Sequence, residues 1–264
     1  NLHLNWGRIY VRPINICYRM IKELIIRDFF SFKGEHKIEL NQGVNILVGV
    51  NGSGKTSFLN AITLLHEGVA GGGLSALFRQ WGTYNAIVNA CGEEKPECFS
   101  ITYVFDADAL KAIVPASPFK KDVYYTVTVF PIGDGTNYSL CETLYSEDSK
   151  GKKKNFCYLE FRNGIGQISV RTKSGIDVEK YEGGMLSAQE LVLRQITDPQ
   201  RYLPSFVVRE AINSVAAYSR FNFDKVRQPA EANDLKRLMS TGENLSQLLS
   251  RLNNNFSLQY EKIR

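Results

Sequence analysis

The octapeptide Gly49-Val50-Asn51-Gly52-Ser53-Gly54-Lys55-Thr56 fits the pattern G-x-x-x-x-G-K-[ST]. It lies between a short apolar run, Val44-Asn45-Ile46-Leu47-Val48, and a helix-like series, Phe58, Leu59, Ala61, Ile62, Leu64 and Leu65. Strand, glycine loop, helix is the order of a phosphate-binding loop. Phosphate oxygens have to be met by backbone N–H groups, so a Cβ at Gly49, Gly52 or Gly54 would block either the ligand or the backbone angles. A helix starting near Lys55 aims its unsatisfied N–H groups and positive dipole end at the same oxygens. The spacing therefore assigns Gly49, Asn51, Gly52, Ser53, Gly54, Lys55, Thr56 and Ser57 to nucleotide binding. Lys55 is the catalytic cation on the β- and γ-phosphates, and the Thr56 hydroxyl is the ligand for Mg²⁺. The dinucleotide motif G-x-G-x-x-G has a different spacing and no use for a Lys-Thr pair.

The remaining chain reads as α/β. Ile21, Leu24, Ile25 and Ile26, a Lys33-Gly34 turn and His36 to Leu40 predict two strands before the loop, and Val44–Val48 a third, buried on both faces. Residues 97–172 hold β-rich segments (ECFSITYVF, VYYTVTVF, NYSLCETLY, FCYLEFR, QISVRT) parted by turn-formers such as Gly133-Asp134-Gly135 and Asn163-Gly164, which predicts an antiparallel region. From Ser187 the texture is helical. Ser187-Ala188-Gln189-Glu190 fits a capping box, Pro204 opens a helix through Ile212, and Gly242 or Asn244 opens the last one. The expected organisation is an extension over 1–19 and a partial head over 20–264. Within that head, 20–70 is the loop core, 97–172 the antiparallel part and 187–264 the helical segment. The Leu245–Phe256 helical pattern runs close to Arg264, so continuation beyond it is expected.

With 264 residues, 44% apolar and 22% charged, the chain is long and apolar enough for a sizeable core, which excludes a disordered or disulfide-stapled chain. Of the net charge of +5, three units come from Arg8, Arg12 and Arg19 in an acid-free leader, so +2 is left for the rest, too little to argue nucleic-acid binding from charge. Cys17, Cys91, Cys98, Cys141 and Cys157 form an odd set with no C-x-x-C pair, and His3, His36 and His66 lie far apart in sequence. Reduced thiols in a cytoplasmic protein fit this better than a zinc site or a secreted frame. No stretch is apolar for long enough to span a bilayer. Lys150, Lys152, Lys153 and Lys154 read as a solvated hairpin tip ahead of a phosphate-contacting loop.

Hydrolysis needs more than the loop: an acidic residue after an apolar strand has to hold Mg²⁺ through water and polarise the attacking water. Asp106, after Ile101–Phe105, with Asp108 nearby, is the local candidate. The alternative is that both acids simply end a strand. No glutamate follows Asp106 as a base, and a guanine-reading Asn-Lys-x-Asp is absent.

GVNGSGKT resembles the ATP-binding-cassette branch of P-loop ATPases, in particular the RecF-like and SMC-like AAA family ATPases. Upstream, IKELIIRDFFSF is similar to that family's opening strand and turn, with Asp28, Phe29, Phe30, Ser31 and Phe32 in the five turn positions. Phe30 stands where the family has a basic residue, and Lys33 is the basic side chain beside it. LSAQELVLRQITDP, AAYSRFNFDKVRQP and LMSTGENLSQLLSRL are similar to the central region of RecF-like and OLD-like ATPases. Gln189 invites comparison with a Mg²⁺-sensing glutamine, against the plainer reading of a surface side chain. The resemblance implies a P-loop NTPase core of ATP-binding-cassette type, incomplete within these residues. It further implies ATP and Mg²⁺ as cofactors, a homodimer that sandwiches ATP, hydrolysis that reopens it, and action beside DNA or a nuclease partner, in repair or phage defence. Two other readings share the same loop: a non-hydrolysing ATP-binding switch or scaffold, and a small-molecule kinase, which would need an acceptor pocket and an arginine-bearing lid.

Overall fold

The computed structural model describes residues 19–89, 95–147, 156–172, 175–216, 218, 223–228, 238–239, 242–257 and 261. The chain divides into two units, Asn1–Asn213 and Ser214–Arg264. In the first unit the described strands are β1 (Ile21–Arg27), β2 (Glu35–Glu39), β3 (Phe99–Phe105), β4 (Val123–Ile132), β5 (Asn137–Ser146), β6 (Phe156–Arg162), β7 (Ile165–Thr172) and β8 (Gly175–Tyr181). They form one sheet in the order β2-β1-β3-β4-β5-β6-β7-β8, and every neighbouring pair is antiparallel. The helices of this unit are α1 (Lys55–Val69), α2 (Leu74–Trp81), α3 (Tyr84–Ile87), α4 (Ala107–Ile113), α5 (Val192–Gln195) and α6 (Leu203–Ser214). The second unit holds α7 (Phe223–Val226) and α8 (Leu245–Asn255).

Period-two patterning builds the sheet. Val123, Tyr125, Val127 and Val129 of β4 are buried and the residues between them half-buried, and β5 repeats the pattern with Tyr138, Leu140, Glu142, Leu144 and Ser146. Helix α1 lies on this buried face through Phe58, Ala61, Leu64 and Leu65, and the buried Tyr103 hydroxyl donates to the Ala61 carbonyl at 2.6 Å. The other face is half-exposed, with Thr102 and Thr126 hydroxyls 2.8 Å apart and the rings of Tyr124 and Tyr145 stacked at 5.0 Å. Asn163 and Gly164, both at positive φ, make the tight β6–β7 turn that an Asn-Gly pair favours.

The α/β class, the antiparallel sheet and the helices of the sequence reading are present. The sheet also reaches beyond 97–172, since it takes in β1 and β2 at one edge and β8 at the other. Helices α6 and α8 fall where expected, with Asn244 as the N-cap of α8. Two local readings are corrected. Val44–Val48 is in no ladder: Val44 is 84% exposed and Val48 88%. Ser187–Glu190 is not a capping box, because α5 starts only after Leu191. Instead the Glu190 carboxylate accepts from the N–H groups of Leu74 and Ser75, at 3.0 and 3.2 Å, and so caps α2 from more than a hundred residues away. The Lys150–Lys154 run lies outside the described residues.

One charged side chain sits in the core face. Glu142 accepts from the Tyr125 hydroxyl at 2.9 Å and from the N–H groups of Val192 and Leu193, closing the start of α5 against β5. Burial pushes its carboxyl up to about 7, against the three donors that favour the anion. The folded state thus holds a proton that the unfolded state, near 4.5, gives up. This group's contribution to stability is full below pH 4.5, declines between 4.5 and 7 and is lost above that, a span of about 3 kcal/mol. In Glu142→Gln the carboxyl no longer titrates. Urea midpoints of the two proteins from pH 4.5 to 8 should therefore converge as pH rises, whereas parallel curves would contradict the titration.

Candidate functional site

The loop reaches α1 through left-handed backbone. Gly52 has φ 86° and Gly54, the N-cap of α1, φ 92°. Ser53 N–H donates to the Val50 carbonyl at 3.2 Å, and Phe58 N–H to the Gly54 carbonyl at 2.9 Å, which starts the helical ladder. A Cβ at Gly49 would come 2.5 Å from Ser53 Oγ, so the loop closes on itself as tightly as the motif requires. The Lys55 ammonium folds back over the loop and donates to the carbonyls of Gly49 (2.6 Å) and Val50 (2.7 Å) and to Ser53 Oγ (3.3 Å). No acidic side chain occupies the first turn of α1, Thr56 and Asn51 are exposed, and Ser57 is buried. Gly49 to Ser57 thus form one glycine-turned loop that runs onto a helix N-terminus, where unsatisfied N–H groups favour an anion.

The β1–β2 turn supports it. Asp28 and Phe30 both have positive φ, 52° and 48°, and each costs about 1–2 kcal/mol for a residue with a Cβ. The turn is held nonetheless. Gly34 N–H donates to Asp28 Oδ1 at 2.7 Å, Phe30 N–H to the Ile87 carbonyl at 2.7 Å, and Asn89 to the carbonyls of Asp28 and Phe30. The Phe30 ring meets Trp81 edge-on at 5.4 Å and Phe29 at 4.7 Å. Where the resembled family has a basic residue, this chain has part of an aromatic cluster, while Lys33 is exposed. Ser31 and Phe32, next in the turn, reach the loop itself. Ser31 Oγ is 2.7 Å from Ser57 Oγ, and the Phe32 ring lies against Gly54.

Two other candidates take different roles. Asp106 caps α4 by accepting from Ala109 N–H at 2.9 Å, and pairs with the Lys22 ammonium at 3.0 Å. Burial raises its carboxyl, but that cap and that cation outweigh it and hold the group below the usual range. It ends a strand, as the plainer reading had it. Gln189 is exposed and adjoins Glu190, which caps α2 beyond the C-terminal end of α1. Helix α1 has fifteen residues, about 22 Å in length, so Gln189 sits at the far end of α1 from the loop. What sequence reasoning missed is Asn89, whose reach back to the turn follows no local pattern. Among the described residues, no cluster of His, Cys, Asp or Glu is arranged to hold a metal ion by itself. None of the described helices is long and apolar enough to cross a membrane.

Comparison with protein families places residues 23–258 under one family model, an AAA domain. The chain belongs to the AAA-domain family. That agrees with the resemblance carried by GVNGSGKT and the opening strand. No curated protein matches this AAA-domain chain. Among solved structures, one that it is similar to is described as the SmcHead bound to the C-winged helix domain of ScpA. The identity is 24% and the TM-score 0.35, over 47% of this chain and 35% of that one. The AAA-domain chain thus spans about a third of that solved chain.

Gly52 and Gly54 differ in a way that tests the cradle. A methyl at either pays the left-handed cost of about 1–2 kcal/mol, but at Gly54 it also comes 3.3 Å from Ser31 Oγ and 3.4 Å from the Phe32 ring, whereas at Gly52 nothing lies within 4 Å. Gly54→Ala should therefore lower the urea midpoint more than Gly52→Ala. Equal losses would show that Phe32 does not back the loop.

Proposed function

We propose that this chain binds ATP with Mg²⁺ in the Gly49–Ser57 loop and that it works as an ATPase head. The observation that carries the reading is the glycine loop on the N-terminus of α1 with the Lys55 ammonium folded over it, bonded only to groups of the loop. Loop N–H groups and the helix dipole hold the α- and β-phosphates. Lys55 exchanges its two carbonyl partners for β- and γ-phosphate oxygens, and the exposed Thr56 hydroxyl ligates the metal. A Mg²⁺ held by Thr56 would supply positive charge beside the phosphate chain.

Hydrolysis in this reading calls on residues outside the described set, since Asp106 is committed to α4 and Lys22. The apolar run before the loop indicates where they come from. Val44, Ile46, Val48 and Val50 are each at least 79% exposed, and Leu59 of α1 is 55% exposed. A run of that composition fits a strand of a second sheet laid over α1. That sheet, from further polypeptide or another chain, is the natural carrier of the acidic residue near Thr56. Two heads closing on two ATP molecules, with hydrolysis reopening them, is the cycle the family resemblance supports, with a homodimer and a DNA or nuclease partner. A switch that binds ATP without turnover is the second reading, favoured by the engagement of Asp106.

Calorimetry decides the core of the proposal. The folded chain should take up ATP–Mg²⁺, and Lys55→Ala should weaken it at least about tenfold, the value of one charge-assisted contact set. Phosphate release should stay near background for the chain alone. A folded chain without affinity for ATP–Mg²⁺ overturns the reading.

A further inference from the structure

We infer that Asn89 is a positioning residue of the nucleotide site, acting through the peptide unit between Phe30 and Ser31 on the first turn of α1. This rests on the nucleotide reading above and goes beyond the loop motif. Asn89 is buried, and its two N–H sources serve the two left-handed residues of the β1–β2 turn. Its backbone N–H donates to the Asp28 carbonyl at 2.8 Å and its side-chain Nδ2 to the Phe30 carbonyl at 2.6 Å. The Phe30 carbonyl and the Ser31 N–H belong to one rigid peptide plane. That N–H donates to Ser57 Oγ at 3.3 Å, and the Ser31 hydroxyl meets the same oxygen at 2.7 Å. One plane is therefore clamped from both sides, by Asn89 on its carbonyl and by the P-loop helix on its N–H.

The clamp is needed because the plane sits in a disfavoured setting. Phe30 is left-handed without being glycine, and releasing Nδ2 frees it to relax towards the extended region. Rotation of the 30–31 peptide withdraws the N–H from Ser57 and carries Ser31 and Phe32 away from the loop. Phe32 backs Gly54, the residue that turns the loop into α1. Val88, next to Asn89, bridges Phe29, so the turn keeps its place on the sheet edge when the side chain is changed. The effect of losing the clamp is thus local to the loop, where nucleotide affinity registers it.

The test is a set of ATP–Mg²⁺ dissociation constants for the full chain, measured well below each protein's melting temperature. Asn89→Ala and Ser31→Ala should each weaken binding about three- to tenfold, the range of one or two hydrogen bonds. Ser31→Thr, which keeps the hydroxyl, should bind as the wild type does. In the double variant the combined loss should fall short of the product of the single losses, since both act through one peptide plane. Asn89→Asp, close in shape but turning an acceptor towards the Phe30 carbonyl, should weaken binding at least as much as Asn89→Ala. It also serves if the alanine variant does not fold. A wild type that binds while the folded Asn89 variants bind equally well overturns the positioning role alone, as does a double variant whose losses multiply. A wild type that does not bind overturns the nucleotide reading first.

Discussion

A phosphate cradle made of backbone works only while its helix stays still, and α1 is held at its start, its middle and its end. Near its N-terminus Ser57 is tied to Ser31, in its middle the Ala61 carbonyl takes the buried Tyr103 hydroxyl, and at its far end the Glu67 carboxylate receives the Gly72 N–H. Arg194, from the segment after the sheet, donates to the Gly71 carbonyl at 2.6 Å. Ser31, Tyr103 and Arg194 bring three different parts of the chain to the helix, and the Glu67–Gly72 bond closes its end locally. The sheet gives the plane on which α1 rests, and the polar anchors fix how far along that plane the loop lies.

The glycines after α1 show why this arrangement is nonlocal. Gly71, Gly72 and Gly73 follow the C-cap of α1 at Ala70 and part it from α2. In space they are also the place where a carboxylate of α1 and one from a distant segment converge. Glu67 reaches Gly72 from within α1, while Glu190 approaches Gly73 so closely that a Cβ there would lie 2.6 Å from its carboxylate. The absent side chains admit the carboxylate that caps α2. Glu142 does the corresponding work for α5, and it is buried for that reason: two N–H groups at a helix start need an acceptor that water cannot supply there.

What the sequence made legible follows from range. The loop, the Asn163-Gly164 turn and the alternation of β4 and β5 depend on residues a few positions apart, and spacing alone reveals them. Ser187-Ala188-Gln189-Glu190 has the spacing of a capping box, yet its glutamate caps a helix 116 residues earlier, while the first N–H groups of the helix that follows it are taken by Glu142. Asn89 gives no periodic signal at all, since its value comes from two carbonyls that the β1–β2 turn happens to expose. Phe30 was legible only as a departure from the family pattern. Its reason, the edge-on contact with Trp81, belongs to packing.

The apolar run before the loop is a different case, because its pattern is clear and its ladder is missing. Helix α1 has apolar residues on two sides. Phe58, Ala61, Leu64 and Leu65 are spent on the antiparallel sheet, while Leu59, on the same helix, stays exposed, as do Val44, Ile46, Val48 and Val50 before the loop. The exposed run Val44–Val50, more than the single exposed Leu59, is what calls for a second layer. In the proposed ATPase that layer would put strand ends beside Thr56, at the positive end of α1, where an acidic side chain can reach a metal shared with the phosphates. The same geometry explains why the described sheet supplies no such acid. Its strands are antiparallel, and the one acid that ends β3 is already spent on the start of α4 and on Lys22.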